Sequence, residues 1–186
     1  MSKWESGMKG QGRIETARLV LRKPIAADAE AIFARYASDA EVTNFLSWRT
    51  HQSLADTLQF LAISDAEWDR RPAGPYLIES RTTGALLGST GLAFETEAVA
   101  ATGYVLARDA WGRGYATEAL TAIVALSRNL GVRRLYALCH PANSASIRVL
   151  EKCGFACGER LPESEVFPNL SPGQRLDCLR YTHLTG

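Results

Sequence analysis

The sequence is poor in the features that would narrow its chemistry quickly. Its four cysteines, Cys139, Cys153, Cys157 and Cys178, include no Cys-x-x-Cys pair, and its three histidines, His51, His140 and His183, are scattered. That spacing argues against a zinc site, so no metal is expected. Three of the cysteines lie in or beside apolar segments and read as small core or near-core thiols in a reducing compartment. Net charge is scarce as well: 21 basic residues face 20 acidic ones, a formal balance of +1. No broad field for direct binding of nucleic acid or anionic lipid is expected. There is no hydrophobic run of membrane-spanning length and no apolar leader near the start, which makes cytoplasmic localisation the default expectation. Internal repeats are missing too.

What is present suits one domain. With 186 residues, 46% hydrophobic and 22% charged, the chain is long enough for one substantial core. Residues 1–12, rich in Ser, Lys, Gly and Gln without periodicity, read as a disordered extension ahead of a domain at 13–186. Residues 18–23 alternate in part and stop at Pro24, as a first strand would. Asp28 opens a helix carrying Ala31, Ile32, Phe33 and Tyr36. Ser53 caps a longer helix whose expected inner side is Leu54, Leu58, Leu61 and Trp68. Beyond Pro72-Ala73-Gly74-Pro75, residues 76–80 and 86–94 read as strands joined at Thr82-Thr83-Gly84. Closing strands are expected at 155–161 and 178–183. Between them residues 162–177, rich in Pro, Asn, Ser and Gly, read as a long loop of the kind that often carries function.

The most informative stretch is Trp111-Gly112-Arg113-Gly114-Tyr115-Ala116-Thr117-Glu118. Before it, Thr102-Gly103-Tyr104-Val105-Leu106 reads as a buried strand. After it, Ala116, Leu120, Ile123, Val124 and Leu130 share one helical face, with Gly131 as the stop. Residues 135–139 complete a strand–helix–strand unit, for which a right-handed parallel crossover is expected. Two glycines at a helix start let the backbone approach a ligand, and the free N–H groups there favour an anion such as pyrophosphate. A tight turn whose glycines only permit close packing is the other reading. A Walker loop would need Gly-Lys-Ser/Thr, and Gly114-Tyr115-Ala116 has none. A dinucleotide fingerprint would need a third glycine where Thr117 stands. A further helix runs from Asn143-Ser144 to Cys153-Gly154, with Gly154 placed as its C-terminal glycine.

Four segments in order carry a resemblance to the GNAT N-acetyltransferase superfamily, and within it to the RimJ/RimL-like branch of protein N-terminal acetyltransferases. They are Thr16-Ala17-Arg18-Leu19-Val20-Leu21-Arg22, Leu87-Gly88-Ser89-Thr90-Gly91, the Trp111–Glu118 turn with Ala119, and the helix with Asn143, Ser146, Leu150-Glu151-Lys152 and Gly154-Phe155. The loop's first position is usually Arg or Gln in the wider superfamily, but an aromatic such as Trp111 is common in this branch. The resemblance implies an α/β (α+β) GNAT fold. Its central mixed, mostly antiparallel sheet would have about six to seven strands flanked by about four helices and splayed at a central parallel pair. It also implies direct acetyl transfer from acetyl-CoA to a primary amine, with no acyl-enzyme. The acceptor so implied is a protein or peptide N-terminal α-amine. A small-molecule amine, including an antibiotic, is the alternative acceptor, and a catalytically weak acyl-CoA sensor the alternative role. Monomer and homodimer both stay open.

Carried over residue by residue, the resemblance implies a pyrophosphate site on the backbone of Trp111, Gly112, Arg113, Gly114, Tyr115, Ala116 and Thr117. The Thr117 hydroxyl is an added donor there. Pantetheine would pair with Tyr104-Val105-Leu106, and a backbone N–H near Val105 would face the thioester oxygen. Asn143 would hold the pantetheine or a water near the sulfur, or serve only as a helix cap. Many superfamily members have a Tyr acid where Leu150 stands. In this branch Ser146 takes that part, or else it only stabilises the helix's first turn. Ala101 occupies the position where the branch often has a Glu base, which leaves the base unassigned among Glu95, Glu97 and His51. Trp48, His51 and Phe167 are the candidates for acceptor binding. A peptide α-amine, with a pKa of roughly 8, is about a tenth to a quarter neutral near pH 7, whereas a lysine amine is about 0.1% neutral or less. A vacant base position therefore favours an α-amine.

Overall fold

In the computed structural model, which describes residues 12–71 and 73–185, side-chain alternation along the strands divides one sheet into two apolar faces. The expected extension at 1–12 lies outside the described residues except for Gly12. The strands are β1 (Arg13–Glu15), β2 (Leu19–Arg22), β3 (Tyr76–Ser80), β4 (Leu86–Phe94), β5 (Val99–Leu106), β6 (Arg134–Cys139), β7 (Ala156–Val166) and β8 (Arg175–Leu184). The helices are α1 (Ala29–Ile32), α2 (Ala40–Thr43), α3 (Leu54–Arg70), α4 (Tyr115–Asn129) and α5 (Ser144–Lys152). Short 3-10 and π turns flank α1. The eight strands form one sheet in the order β1-β2-β3-β4-β5-β6-β8-β7. This is one strand more than expected, and β1 is the element the sequence did not announce. Every pair is antiparallel except β5–β6.

Leu19, Leu21, Tyr76, Ile78, Leu87 and Leu106 point to one face, where Leu120 and Ile123 of α4 and Leu150 of α5 cover them. The alternate residues Leu77, Leu86 and Val105 point to the other, against Ile32, Tyr36, Val42 and Leu61. Period-two strands with two covered faces produce this division directly. The register of β4 on β5 brings Gly88 against the backbone of β5. A Cβ there would fall 2.0 Å from the Val105 carbonyl oxygen, so only glycine fits.

The parallel pairing of β5 with β6 lasts for Val99↔Arg134, Ala100↔Leu135 and Ala101↔Tyr136. β6 then continues with β8, while residues 102–106 keep β4 alone as partner. The sheet opens at this point. Trp111 fixes the next turn by donating its indole N–H to the Leu106 carbonyl at 2.8 Å.

Two expectations change. The inner side of α3 is Thr57, Leu61, Ser64 and Trp68, while Leu54 and Leu58 are exposed. Trp68 sets this face: its indole donates to Pro75 O at 2.9 Å and its ring meets Tyr76 edge-on. The expected loop at 162–177 is mostly strand, because β7 continues through Pro162 and leaves only residues 167–174 as the connection. β7 is an edge strand with irregular pairing, where a proline is tolerated. Leu161 pairs with Cys178 and Glu165 with Leu176, so β7 takes four steps where β8 takes two. The four cysteines are free thiols. Cys139 and Cys178 are buried and Cys153 partly so, but Cys157 is exposed on the edge and is no core residue.

Candidate active site

Two cavities meet at the opening between β5 and β6. One, of about 520 Å³, is bounded by the glycine turn, the start of α4 and the outer side of α5. The other, of about 540 Å³, lies across the open strands toward α3 and β7. Phe45, Leu46, Tyr104, Val105, Asn143 and Ser146 line both. A group bridging the two must pass these six residues.

The first cavity is built from backbone. Gly112 and Gly114 have φ of +72° and +78°, a left-handed conformation that costs glycine little. Gly114 is the N-cap of α4, so the first N–H groups of a 15-residue helix face the cavity with the positive end of its dipole. Arg18 staples this turn from β2's side. Its guanidinium donates to Arg113 O at 2.9 Å and to Glu118 Oε2 at 2.7 Å, and it lies over the Tyr115 ring. Glu118 also accepts from the Arg18 N–H at 2.8 Å and the Thr16 hydroxyl at 2.6 Å. Partial burial pushes the Glu118 carboxyl up, but these donors outweigh it and hold the group below the usual carboxylate range. Of the residues expected to bind the cofactor, Tyr104, Val105, Leu106, Trp111, Gly112, Gly114, Tyr115, Ala116, Thr117, Asn143 and Ser146 line this cavity. Arg113 does not, and its carbonyl serves Arg18 instead.

The open edge of β5 is more specific than the sequence suggested. Ala107 N–H donates to Leu87 O at 2.7 Å, and the Thr90 hydroxyl donates to Gly103 O at 2.8 Å. Antiparallel alternation therefore turns the N–H groups of Gly103 and Val105 toward β4, and those of Tyr104 and Leu106 toward the opening. The expected donor near Val105 is thus the N–H of Tyr104 or Leu106.

At the junction, Asn143 caps α5, its side-chain oxygen accepting the Ser146 N–H at 3.1 Å. Capping and cavity lining fall to the same side chain. Ser146 Oγ lies 2.8 Å from the Tyr104 hydroxyl, which also donates to Ser146 O at 3.2 Å. Burial raises the Tyr104 phenol well above its ordinary value, against a smaller opposing effect of Ser146. It therefore stays protonated at neutral pH. Leu150, where a tyrosine is frequent, is buried core with no proton to give. Tyr104 brings a phenol to the junction from β5 instead. Cys139 also faces this corner, its thiol pushed up by burial and eased by Ser146.

The second cavity is built from side chains. Phe45, Trp48, Phe60 and Phe167 supply aromatic walls. His140 stacks on Phe45 and meets Phe167 edge-on, with ring centroids 5.3 and 5.0 Å apart. Ala101 lines the cavity, as does Glu165 on β7, and Glu67 is the other carboxylate there. Among the described residues no lysine, arginine or histidine belongs to this lining. Glu165 is half-buried. Burial, then the Glu95 hydrogen bond and charge, push the neighbouring Tyr136 phenol up to about 12, Arg180 opposes them, and the Glu165 charge adds the smallest contribution. Glu165 was not among the sequence candidates, because residues 162–177 read as loop. Glu95 accepts the Tyr136 hydroxyl, and neither Glu95 nor Glu97 lines the cavity. His51 also stands outside it. Its Nδ1 lies 2.8 Å from the Thr57 hydroxyl and its ring packs on Trp48, while burial lowers its pKa. Among the described residues no cluster of His, Cys, Asp or Glu is placed to hold a metal ion, and no helix is long and apolar enough to cross a membrane.

A helix start whose free N–H groups suit an anion stands beside an opened parallel pair, with a second cavity behind it. Residues 18–156 match the acetyltransferase (GNAT) domain family, and the chain belongs to it. It is an acetyltransferase. A relative described as the uncharacterised N-acetyltransferase YoaA of Bacillus subtilis (strain 168) is 32% identical over 145 residues, covering 76% of this chain and 81% of its own. The fold is shared with RimL, a ribosomal L7/L12 α-N-protein acetyltransferase solved in complex with coenzyme A. That match has a TM-score of 0.82 at 20% identity and covers 92% of this chain and 97% of RimL. It is also shared with a spermidine N-acetyltransferase from Vibrio cholerae solved with CoA and spermine, with a TM-score of 0.76 at 18% identity, covering 91% and 97%.

Proposed function

We propose that this acetyltransferase uses acetyl-CoA to acetylate a primary α-amine at a protein or peptide N-terminus, entering through the 540 Å³ cavity. The observation that carries the reading is the junction. Six residues are common to both cavities, and the Ser146–Tyr104 pair stands among them. The residues fit the co-substrate: left-handed glycines and a helix start suit a pyrophosphate, and residues 102–106 offer an open edge to pantetheine. When bound, acetyl-CoA supplies the acetyl thioester.

The chain's own groups then divide the work. Glu165 accepts the proton that the acceptor ammonium must lose before it can attack, filling the role that Ala101 cannot. An N–H of Tyr104 or Leu106 faces the oxygen on which charge develops. Ser146 gives its hydroxyl proton to the departing sulfur and is restored by the second proton, which the attacking nitrogen sheds as the amide forms, while the Tyr104 phenol holds the Ser146 oxygen by a hydrogen bond. A cavity with two carboxylates and no basic lining suits a cationic acceptor, and aromatic walls suit an apolar group beside the amine. A volume of this size also takes a small amine whole, which supports a small-molecule acceptor as the second reading.

Thiol release measured with acetyl-CoA and a peptide bearing only an α-amine, or only a lysine amine, tests the preference across pH. The α-amine peptide should react faster at pH 7. The gap should narrow toward pH 10 as the lysine amine becomes neutral. Equal or faster lysine turnover at pH 7 would refute the α-amine assignment.

A further inference from the structure

Residues 44–53 have no regular secondary structure, yet they supply Phe45 and Leu46 to both cavities and Trp48 to the acceptor side. Backbone groups in such a segment need partners from elsewhere. Several come from the chain nearby: Leu46 N–H donates to Thr43 O, His51 N–H to Ala37 O, Gln52 and Ser53 N–H to Asp56, and the Gln52 side chain to Thr50 O. In the middle of the segment, four bonds converge on one amide in the β7–β8 connection. The Asn169 side-chain nitrogen donates to Thr43 O at 2.7 Å and to Trp48 O at 2.8 Å. Its oxygen accepts the Thr50 N–H at 2.9 Å and the Thr50 hydroxyl at 3.2 Å. Two donors and two acceptor positions exhaust what a carboxamide offers, and here all are directed at residues 43–50.

Two residues before Asn169, Phe167 forms the facing wall of the acceptor cavity and closes the aromatic column with His140 and Phe45. Asn169 therefore ties the Trp48 wall to the Phe167 wall, and it lines neither cavity itself. The α2 turn, which precedes this segment and supplies Glu41 and Val42 to the other cavity, has separate supports. Asp39 caps α2, and Arg108 reaches Asp39 and Glu41 from the turn after β5.

We propose that Asn169 is a positioning residue for the acceptor: its amide fixes the spacing of the Trp48 and Phe167 walls and so governs acceptor affinity separately from acetyl-CoA affinity. The inference rests on the amine-acetylation reading, and two kinds of measurement keep the two apart. Asn169→Asp keeps an acceptor for Thr50 but sets carboxylate oxygen against the Thr43 and Trp48 carbonyls, while Asn169→Ala removes all four bonds. In both, acceptor KM should rise about tenfold, with kcat and acetyl-CoA KM each moving less than about threefold. Independently of turnover, exchange of the Thr50 amide should speed up about tenfold or more in Asn169→Ala, with α4 amides unchanged. Because Asn169→Asp retains the bond to Thr50, its Thr50 exchange should change less than that of Asn169→Ala. Thiol release absent from the wild type with every amine refutes the acetylation reading. Acceptor and acetyl-CoA KM rising together, acceptor KM unchanged in an active enzyme, or Thr50 exchange unmoved in Asn169→Ala each overturns the proposal.

Discussion

The two halves of the site are made differently. The half proposed for the cofactor centres on a contiguous stretch of backbone, residues 111–117, stiffened by Trp111 and Arg18. The half proposed for the acceptor is a collection of side chains from α3, the 44–53 segment, the central strands, β7 and Phe167 beyond it, drawn together from Phe45 to Phe167. The first depends on its glycines and on the few side chains that brace the turn, Trp111, Arg18 and Glu118, while the second depends on the side chains of its lining. One half can thus hold the same donor in many relatives, while the other is free to change its acceptor.

The strand common to both halves is where that contrast should collapse. Gly88→Ala would put a methyl 2.0 Å from Val105 O. The expected loss is about 3 kcal/mol of stability and a fall in Tm on the order of 10 °C, with both halves failing together. Thermal unfolding checks it, and a Tm lowered by less than about 2 °C would show that β4 and β5 separate freely. Next in size, Ser146→Ala should lower kcat by about 100-fold while acetyl-CoA affinity stays within about threefold. Tyr104→Phe should cost about tenfold in kcat, since it acts through Ser146. Single-turnover thiol release measures both, and an unchanged rate with chemistry limiting would remove Ser146 from the mechanism.

The smallest effect should fall on the cofactor half alone. Glu118→Gln loosens the Arg18 staple, so acetyl-CoA KM should rise a fewfold with acceptor KM unmoved. Stability near neutral pH should drop by about 1 kcal/mol after allowance for solvent screening. Because the folded pKa of Glu118 is depressed, its contribution is present above the unfolded value of about 4.3 and is lost as pH falls through the lower folded value. Wild type and variant should therefore converge in urea melts taken well below pH 4. A difference that persists in acid would assign the effect to packing.

Much of this was legible from the residues, unevenly. Gly112 and Gly114 announced a helix start because backbone geometry is local. Asn143 and Ser146 came from the family resemblance, which marks an Asn and a Ser three residues apart on one helix. Tyr104 was foreseen only as strand edge, since its phenol meets Ser146 across 42 positions, which no periodicity encodes. Glu165 was hidden because Pro162 and the polar run after it signal a loop, while edge-strand pairing accommodates both. Leu54 and Leu58 misled on α3, where the Trp68–Pro75 bond outweighed the leucine count in choosing the buried face. Asn169 is an ordinary loop residue until the 44–53 segment lies against it.

The irregular pairing in β7 gives Glu165 an unusual kind of dependence. The extra steps between Leu161 and Glu165 are even in number, so parity along the strand is kept and the carboxylate stays on the cleft side. Deleting one residue there would rotate every later side chain of β7 to the opposite face and set Val166 where Glu165 stands. The carboxylate is thus held by length as much as by identity, and in descendants of this gene a single-codon deletion would silence it as surely as a substitution.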